Sequence, residues 1–204
     1  MEQILEKLLG SVPKARVLRL FLRNSGERFG LDEISTRTQL RQQAARSEIR
    51  KFIELGLLQE TMVKQEVIRK NGKKGVARKR AIYGVNPAFP FIAELRDFVS
   101  KSSVAPQNKI LRQIKGVGKV KLAVISGVFI QSENSRTDLL IVGDGIQKRK
   151  LDRFLAKTES EIGRPIHHTV METEEFQYRM DMYDRFLRDI LEYPHEKIIN
   201  RFNI

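Results

Sequence analysis

An α+β chain in two parts is predicted by three features of the 204-residue sequence. Residues 1–99 show helical apolar periodicity and then two β-rich arms around a glycine-bearing turn. Residues 108–204 alternate strand-like and helix-like segments, the pattern of a small α/β domain. Between them, residues 100–107 (Ser-Lys-Ser-Ser-Val-Ala-Pro-Gln) are polar, include a proline and are expected to form a linker.

The first helix is placed at Lys14–Asn24, where Val17, Leu18, Phe21 and Leu22 recur at helical spacing and Asn24-Ser25-Gly26 ends the run. A short second helix follows, with Leu31 at its strand-like approach and Asp32 as the expected N-cap. The third spans Arg41–Leu55 and stops at Gly56. Its apolar side is Ala45, Ile49, Phe52 and Ile53; its other side is Gln43, Arg46, Ser47, Arg50 and Lys51. Then come two arms spanning residues 57–86, joined at Asn71-Gly72-Lys73-Lys74-Gly75, where the glycines allow positive φ. Phe91–Val99 reads as an amphipathic helix with Phe91, Ile92, Leu95 and Phe98 apolar, suited either to its own domain or to a second subunit.

Charge narrows the partner. The formal net charge is +13, and residues 1–105 hold 21 Lys/Arg against 11 Asp/Glu, whereas residues 106–204 hold 17 against 14. The excess is concentrated on the hairpin: Lys64, Arg69, Lys70, Lys73, Lys74, Arg78, Lys79 and Arg80, opposed there by Glu60 and Glu66. A polyanion would relieve that self-repulsion, and nucleic acid is preferred over a membrane surface because the helices lack a broad apolar face edged with Trp or Phe. No apolar run approaches a membrane span, the first residues lack a signal-peptide layout, and a cytoplasmic protein is expected. The chain has no cysteine and three histidines, which excludes disulfides and cysteine-ligated zinc; no cofactor and no metal site are expected.

Three helices followed by a cationic hairpin resemble the winged helix-turn-helix domain of bacterial and archaeal transcriptional regulators, over about the first 100 residues. The resemblance implies a third helix in the major groove and a wing on the backbone. The residues matching that surface are Thr38, Arg41, Gln43, Arg46, Ser47 and Arg50 around the third helix, and Lys70, Lys73, Lys74, Arg78, Lys79 and Arg80 on the wing. Of these, Thr38, Arg41 and Arg46 are assigned to phosphates, and Gln43 with its neighbouring arginines to base edges. Double-stranded DNA is the implied partner, with a homodimer joined through Phe91–Val99.

In the second half, a helix at Asn108–Gln113 precedes strands at Lys119–Ile125, Thr137–Val142 and Pro165–Met171. Helices are placed at Gln147–Ile162 and, as one long element, at Glu174–Ile190, with Phe176, Met180, Tyr183, Phe186, Leu187 and Ile190 on its apolar side. Gly116-Val117-Gly118 lacks the third glycine of a phosphate loop and reads as a turn, and Asp144 as part of a Gly-Asp-Gly turn. Glu172, Glu174 and Glu175 suit a helix N-terminus.

This half resembles a small nucleotidyltransferase domain of the DNA polymerase β superfamily, in which Gly-Ser ends one strand and Asp-x-Asp opens the next. Two carboxylates at i and i+2 share a face and can hold two cations. Here the motif reads Ser126-Gly127 and Arg136-Thr137-Asp138, and His167-His168 stand near the expected third carboxylate. A cation in place of the first aspartate opposes metal binding, so Asp138 is expected to be structural or vestigial, the two histidines to serve core or edge packing, and no catalytic residue is assigned.

The resulting expectation is a DNA-binding transcriptional regulator whose C-terminal domain, residues 108–204, serves regulation or protein interaction. The alternative is an active nucleotidyltransferase modifying a protein or RNA, targeted by the winged helix; a third reading is a nucleic-acid-bound partner that grips another protein with its C-terminal half.

Overall fold

The computed structural model describes residues 4–65, 78–102, 107–132 and 135–204 and is a mixed α+β protein in two compact units, one spanning Gln3 to Ser102 and the other drawn mainly from Ser103 to Ile204. No helix among the described residues is long and apolar enough to cross a membrane.

In the first unit, α1 (Ile4–Leu9) precedes α2 (Val12–Arg23), whose N-cap Ser11 accepts a hydrogen bond from the Lys14 amide at 3.2 Å. Val17, Leu18, Phe21 and Leu22 are buried as their spacing predicts. Helix α1 is not anticipated by periodicity. Six residues cannot hold a helix alone, and α1 is fixed by buried Leu5 and by a buried ion pair between its Glu6 and Arg19 of α2. A three-residue strand β1 (Arg28–Gly30) leads into α3 (Leu31–Thr38), so Gly30 is the N-cap and Asp32 falls inside the first turn instead of capping it. Helix α4 (Gln42–Glu54) follows, ending at Leu55 and Gly56 with φ +81° at the glycine.

The hairpin arms are β2 (Leu58–Gln65) and β3 (Arg78–Val85), antiparallel with Leu58 opposite Val85 and Lys64 opposite Lys79; β1 adds to β3, giving the order β1-β3-β2. The expected turn lies outside the described residues. Helix α5 (Ile92–Ser102) extends three residues into the segment expected as a linker. Its Val99 is buried and Ile92 and Leu95 pack on the core of the same unit, while Phe91 and Phe98 remain exposed. The apolar residues expected on one side are therefore divided between two directions.

The second unit begins with α6 (Gln107–Ile114), then β4 (Lys119–Ile125), a 3₁₀ turn at Gly127–Phe129, β5 (Leu139–Asp144) and α7 (Lys148–Ile162). These are followed by β6 (His168–Met171), α8 (Thr173–Asp181), α9 (Arg185–Glu192) and β7 (Glu196–Asn200). The sheet order is β6-β5-β4-β7, with β5 and β6 parallel and the other pairs antiparallel. Alternation sorts the apolar residues to both faces. Ala123, Ile125, Leu139 and Ile141 join α6 and α7, whereas Leu122, Val124, Leu140 and Val142 join α8 and α9. That is why β4 and β5 read as unbroken apolar runs.

The single long helix expected at Glu174–Ile190 is two. Asp184 caps α9, accepting from the Leu187 amide at 3.1 Å, and Tyr183 before it has φ 52°. Tyr183 is consequently 85 % exposed, not on the buried side. Strand β7 is not anticipated from sequence; its Glu-Lys-Ile-Ile-Asn run shows little strand signal, and pairing with β4 creates it. Gly143 of β5 lies against the backbone of β4. A Cβ there would lie 2.4 Å from the Lys119 carbonyl oxygen and 2.8 Å from the Val120 Cα, atoms that cannot move without breaking the pairing. Gly143→Ala is expected to destabilise the protein by about 3 kcal/mol, the upper end for overpacking, measured by urea unfolding. A change under about 0.5 kcal/mol, the scale of a neutral surface substitution, would show that the strands part freely here.

Candidate nucleic-acid interface

Helix α4 is oriented by its own apolar stripe. Ala45, Ile49 and Phe52 are buried and Ile53 is half-buried. Exposing a large apolar side chain forfeits about 1.5–3 kcal/mol each, so the helix cannot roll. Gln43, Arg46, Ser47 and Arg50, at i, i+3, i+4 and i+7, are thereby all turned to solvent on one face. Arg41, the N-cap residue, is exposed at the start of that face.

Thr38 does not belong to the surface. It is 1 % exposed, and its hydroxyl donates to the Ile34 carbonyl at 2.5 Å within α3. A threonine that bonds back to its own helix offers nothing to a phosphate, so the assignment made from sequence is corrected.

On the ribbon, Lys79 is exposed and stands directly across from exposed Lys64. Like charges opposite one another disfavour the pairing, and a polyanion on that side would relieve them. Arg78 is placed in β3, though its side chain lies outside the description, as do Lys70, Lys73 and Lys74 altogether. Arg80 has a different place from its neighbours: its Nη2 donates to Asp32 Oδ2 at 2.9 Å.

Asp32 connects the helix pair to the ribbon. Its Oδ1 accepts from Gln42 Nε2 at 2.6 Å at the start of α4, and its Oδ2 holds Arg80 of β3. Both partners are well exposed, so the ion pair adds about 0–1 kcal/mol; its effect is on orientation. Gly30 leaves room for it, since a Cβ there would meet Arg80 Nη2 at 2.5 Å. Arg46 of α4 acts electrostatically on Tyr83 of β3. Burial and then the Glu60 carboxylate push the Tyr83 phenol above its ordinary value, and the Arg46 charge pulls it the other way. Helix α4 and the ribbon are therefore joined through polar contacts to Asp32 at the ribbon's base. Arg28 of β1, donating to Thr61 Oγ1 at 2.7 Å, flanks it and is not picked out from sequence, because a three-residue strand leaves no periodic signal.

In the second unit, Asp138 sits in a structural knot. It is 7 % exposed; Oδ1 accepts from the Val128 amide at 2.8 Å and Oδ2 from the His167 amide at 2.8 Å. Gly127 has φ +51°, and a Cβ on it would be 2.0 Å from Asp138 Oδ1. Ser126 Oγ donates to the Thr137 carbonyl, and Ser135 Oγ accepts from the Gly127 amide at 2.9 Å. Arg136 pairs with Asp189 of α9. The rings of His167 and His168 are exposed at the edge strand, not packed in the core. This donor set does not fit a pair of divalent cations, because the one carboxylate at the motif is already used by backbone amides. Among the described residues no three His, Cys, Asp or Glu stand close enough to hold a metal ion. Asp144 ends β5 beside α8, where hydrogen bonding from Thr173 and then Lys121 hold its carboxyl below the ordinary range. Gly116–Gly118 forms a turn before β4, and Glu172 is the N-cap of α8.

Comparison with protein-family models, with curated proteins and with solved structures gave no match. The functional reading therefore rests on the geometry and charge of this surface.

Proposed function

We propose that this chain is a duplex-DNA-binding transcriptional regulator of winged helix-turn-helix type, with a nucleotidyltransferase-like second domain serving regulation or protein contact. One observation carries the reading: an outward helix face of Gln43, Arg46, Ser47 and Arg50 adjoining a cationic two-stranded ribbon. In this reading α4 enters the major groove and Gln43 or Arg50 address base edges, while Arg41, Arg46 and the ribbon lysines hold phosphates. Exposed Phe91 and Phe98 of the α5 region are the proposed seam of a homodimer. A nucleotidyltransferase activity finds less support, since both oxygens of Asp138 are occupied by amides.

The test is fluorescence anisotropy against genomic duplex fragments over a salt series. Changing Arg46, Arg50 and Lys79 together to Ala is expected to weaken binding at least tenfold. The same change is expected to reduce the log–log salt slope by roughly 0.9 for each phosphate that is no longer neutralised. Unchanged affinity and slope would remove the proposal.

A further inference from the structure

In the second unit, cations are concentrated on one helix. On α7, Lys148, Arg149, Lys150, Arg153 and Lys157 are all exposed. Of the three acids on that helix, Asp152 is exposed at i, i+4 from Lys148, whereas Glu159 accepts from the Ile166 amide at 2.9 Å and Glu161 pairs with Lys109 of α6 at 2.6 Å. The layer on the opposite sheet face is mixed: Glu174, Glu175 and Asp181 on α8 and Asp189 and Glu192 on α9 stand with Arg179, Arg185 and Arg188, and three of these acids are paired, Glu175 with Arg179, Glu192 with Arg188 and Asp189 with Arg136. Lys115 lies in the turn after α6, and that turn is held against the start of α7 by the Gln147 amide donating to the Val117 carbonyl at 2.8 Å.

This arrangement works against the helix that carries it. The first turn of α7 has three cations and no acid, at the end of a helix where the dipole disfavours positive charge. Arg149–Arg153 and Arg153–Lys157 are like-charged pairs at i, i+4, which destabilise a helix further. An external polyanion offsets both effects.

We propose that the α6–α7 face is a second nucleic-acid-binding surface, contacting duplex backbone without reading sequence. The side chains are basic and flexible, and no aromatic residue is exposed on α6 or α7 for base stacking; exposed Tyr178 and Tyr183 belong to the α8–α9 layer. The α8–α9 layer, in which acids outnumber arginines five to three, is the less favourable side for phosphate. This surface lies outside the α4–ribbon interface and does not depend on it.

The experiment uses the full chain and a fluorescent duplex of scrambled sequence. Arg149→Gln, Arg153→Gln and Lys157→Gln together are expected to lower the salt slope by about two to three and affinity about tenfold or more, with an unchanged far-ultraviolet spectrum. Unchanged slope and affinity overturn the proposal. The charge-preserving set Arg149→Lys, Arg153→Lys and Lys157→Arg is expected to bind like the parent; binding as weak as the Gln set overturns it. Sedimentation velocity without DNA covers the remaining partner class. If the Gln set abolishes self-association while duplex binding stays intact, the face docks a second copy and the proposal falls. The α4–ribbon variant on the same duplex reports separately: loss of binding in one set and not the other identifies which surface fails.

Discussion

Replacing Arg19 with methionine is expected to destabilise the N-terminal unit by about 3–5 kcal/mol, the cost of leaving one partner of a buried ion pair unpaired. Arg19 and Glu6 are 3 % and 9 % exposed, and both guanidinium Nη atoms donate to the two carboxylate oxygens. Burial raises the Glu6 carboxyl, but the Arg19 hydrogen bond and charge outweigh it and hold the group below its ordinary 4.5. A depressed folded-state pKa contributes stability that is present above pH 4.5 and is lost as pH falls through the folded value. In Arg19→Met burial is opposed only by the Glu6 backbone hydrogen bond and the Arg16 charge, so the group lies higher than in the parent, and acidification protonates Glu6 and relieves the defect. The gap between parent and variant in urea unfolding is therefore expected to narrow as pH falls from 7 towards the acid range. Adding Glu6→Leu is expected to recover most of the loss, since an apolar pair of similar volume commonly matches a buried ion pair. If the single variant unfolds within about 1 kcal/mol of the parent, the pair behaves like an exposed one and does not secure α1.

Asp138→Ala is the second large effect. Two backbone amides, those of Val128 and His167, would lose a carboxylate acceptor inside the second unit. Hydrogen bonds to a charged group contribute about 1.5–3 kcal/mol each, so a loss of about 3 kcal/mol or more is expected. Asp138→Asn is expected to be damaging too, because an amide can offer an acceptor to one of these donors and presents N–H to the other. The measurement is thermal unfolding of the full chain, read alongside incubation with labelled nucleoside triphosphates and Mg²⁺. Destabilisation of the second unit agrees with a structural carboxylate. A fully stable variant that abolishes label transfer would instead favour the nucleotidyltransferase reading.

How much of the fold is legible in the sequence depends on whether the signal is local. Val17, Leu18, Phe21, Leu22, Ile49 and Phe52 are buried where helical spacing puts them, and β4 has the bounds expected from its alternation. The outward set on α4 follows from the same periodicity, since burying one side of a helix exposes the other. Elements made by pairing are not legible. Strands β1 and β7 are short and gain their order from β3 and β4, and α1 depends on a side chain thirteen residues away. Local competition misleads in two places. Asp184 interrupts α8–α9 as a cap where the apolar spacing runs on, and Thr38 turns its hydroxyl back to Ile34.

Composition and periodicity alone determined a basic α+β chain with an apolar-backed, arginine-bearing helix and a cationic hairpin, because those properties belong to single segments. Only the tertiary structure decided that Asp32 ties that helix to the hairpin, that Asp138 is consumed by two amides, and that the second-unit sheet buries both faces, one against α6 and α7 and the other against α8 and α9. Each of these is a relation between segments far apart in the chain, and hydrogen bonds and surface potentials are set by distances in space, which no one-dimensional pattern records.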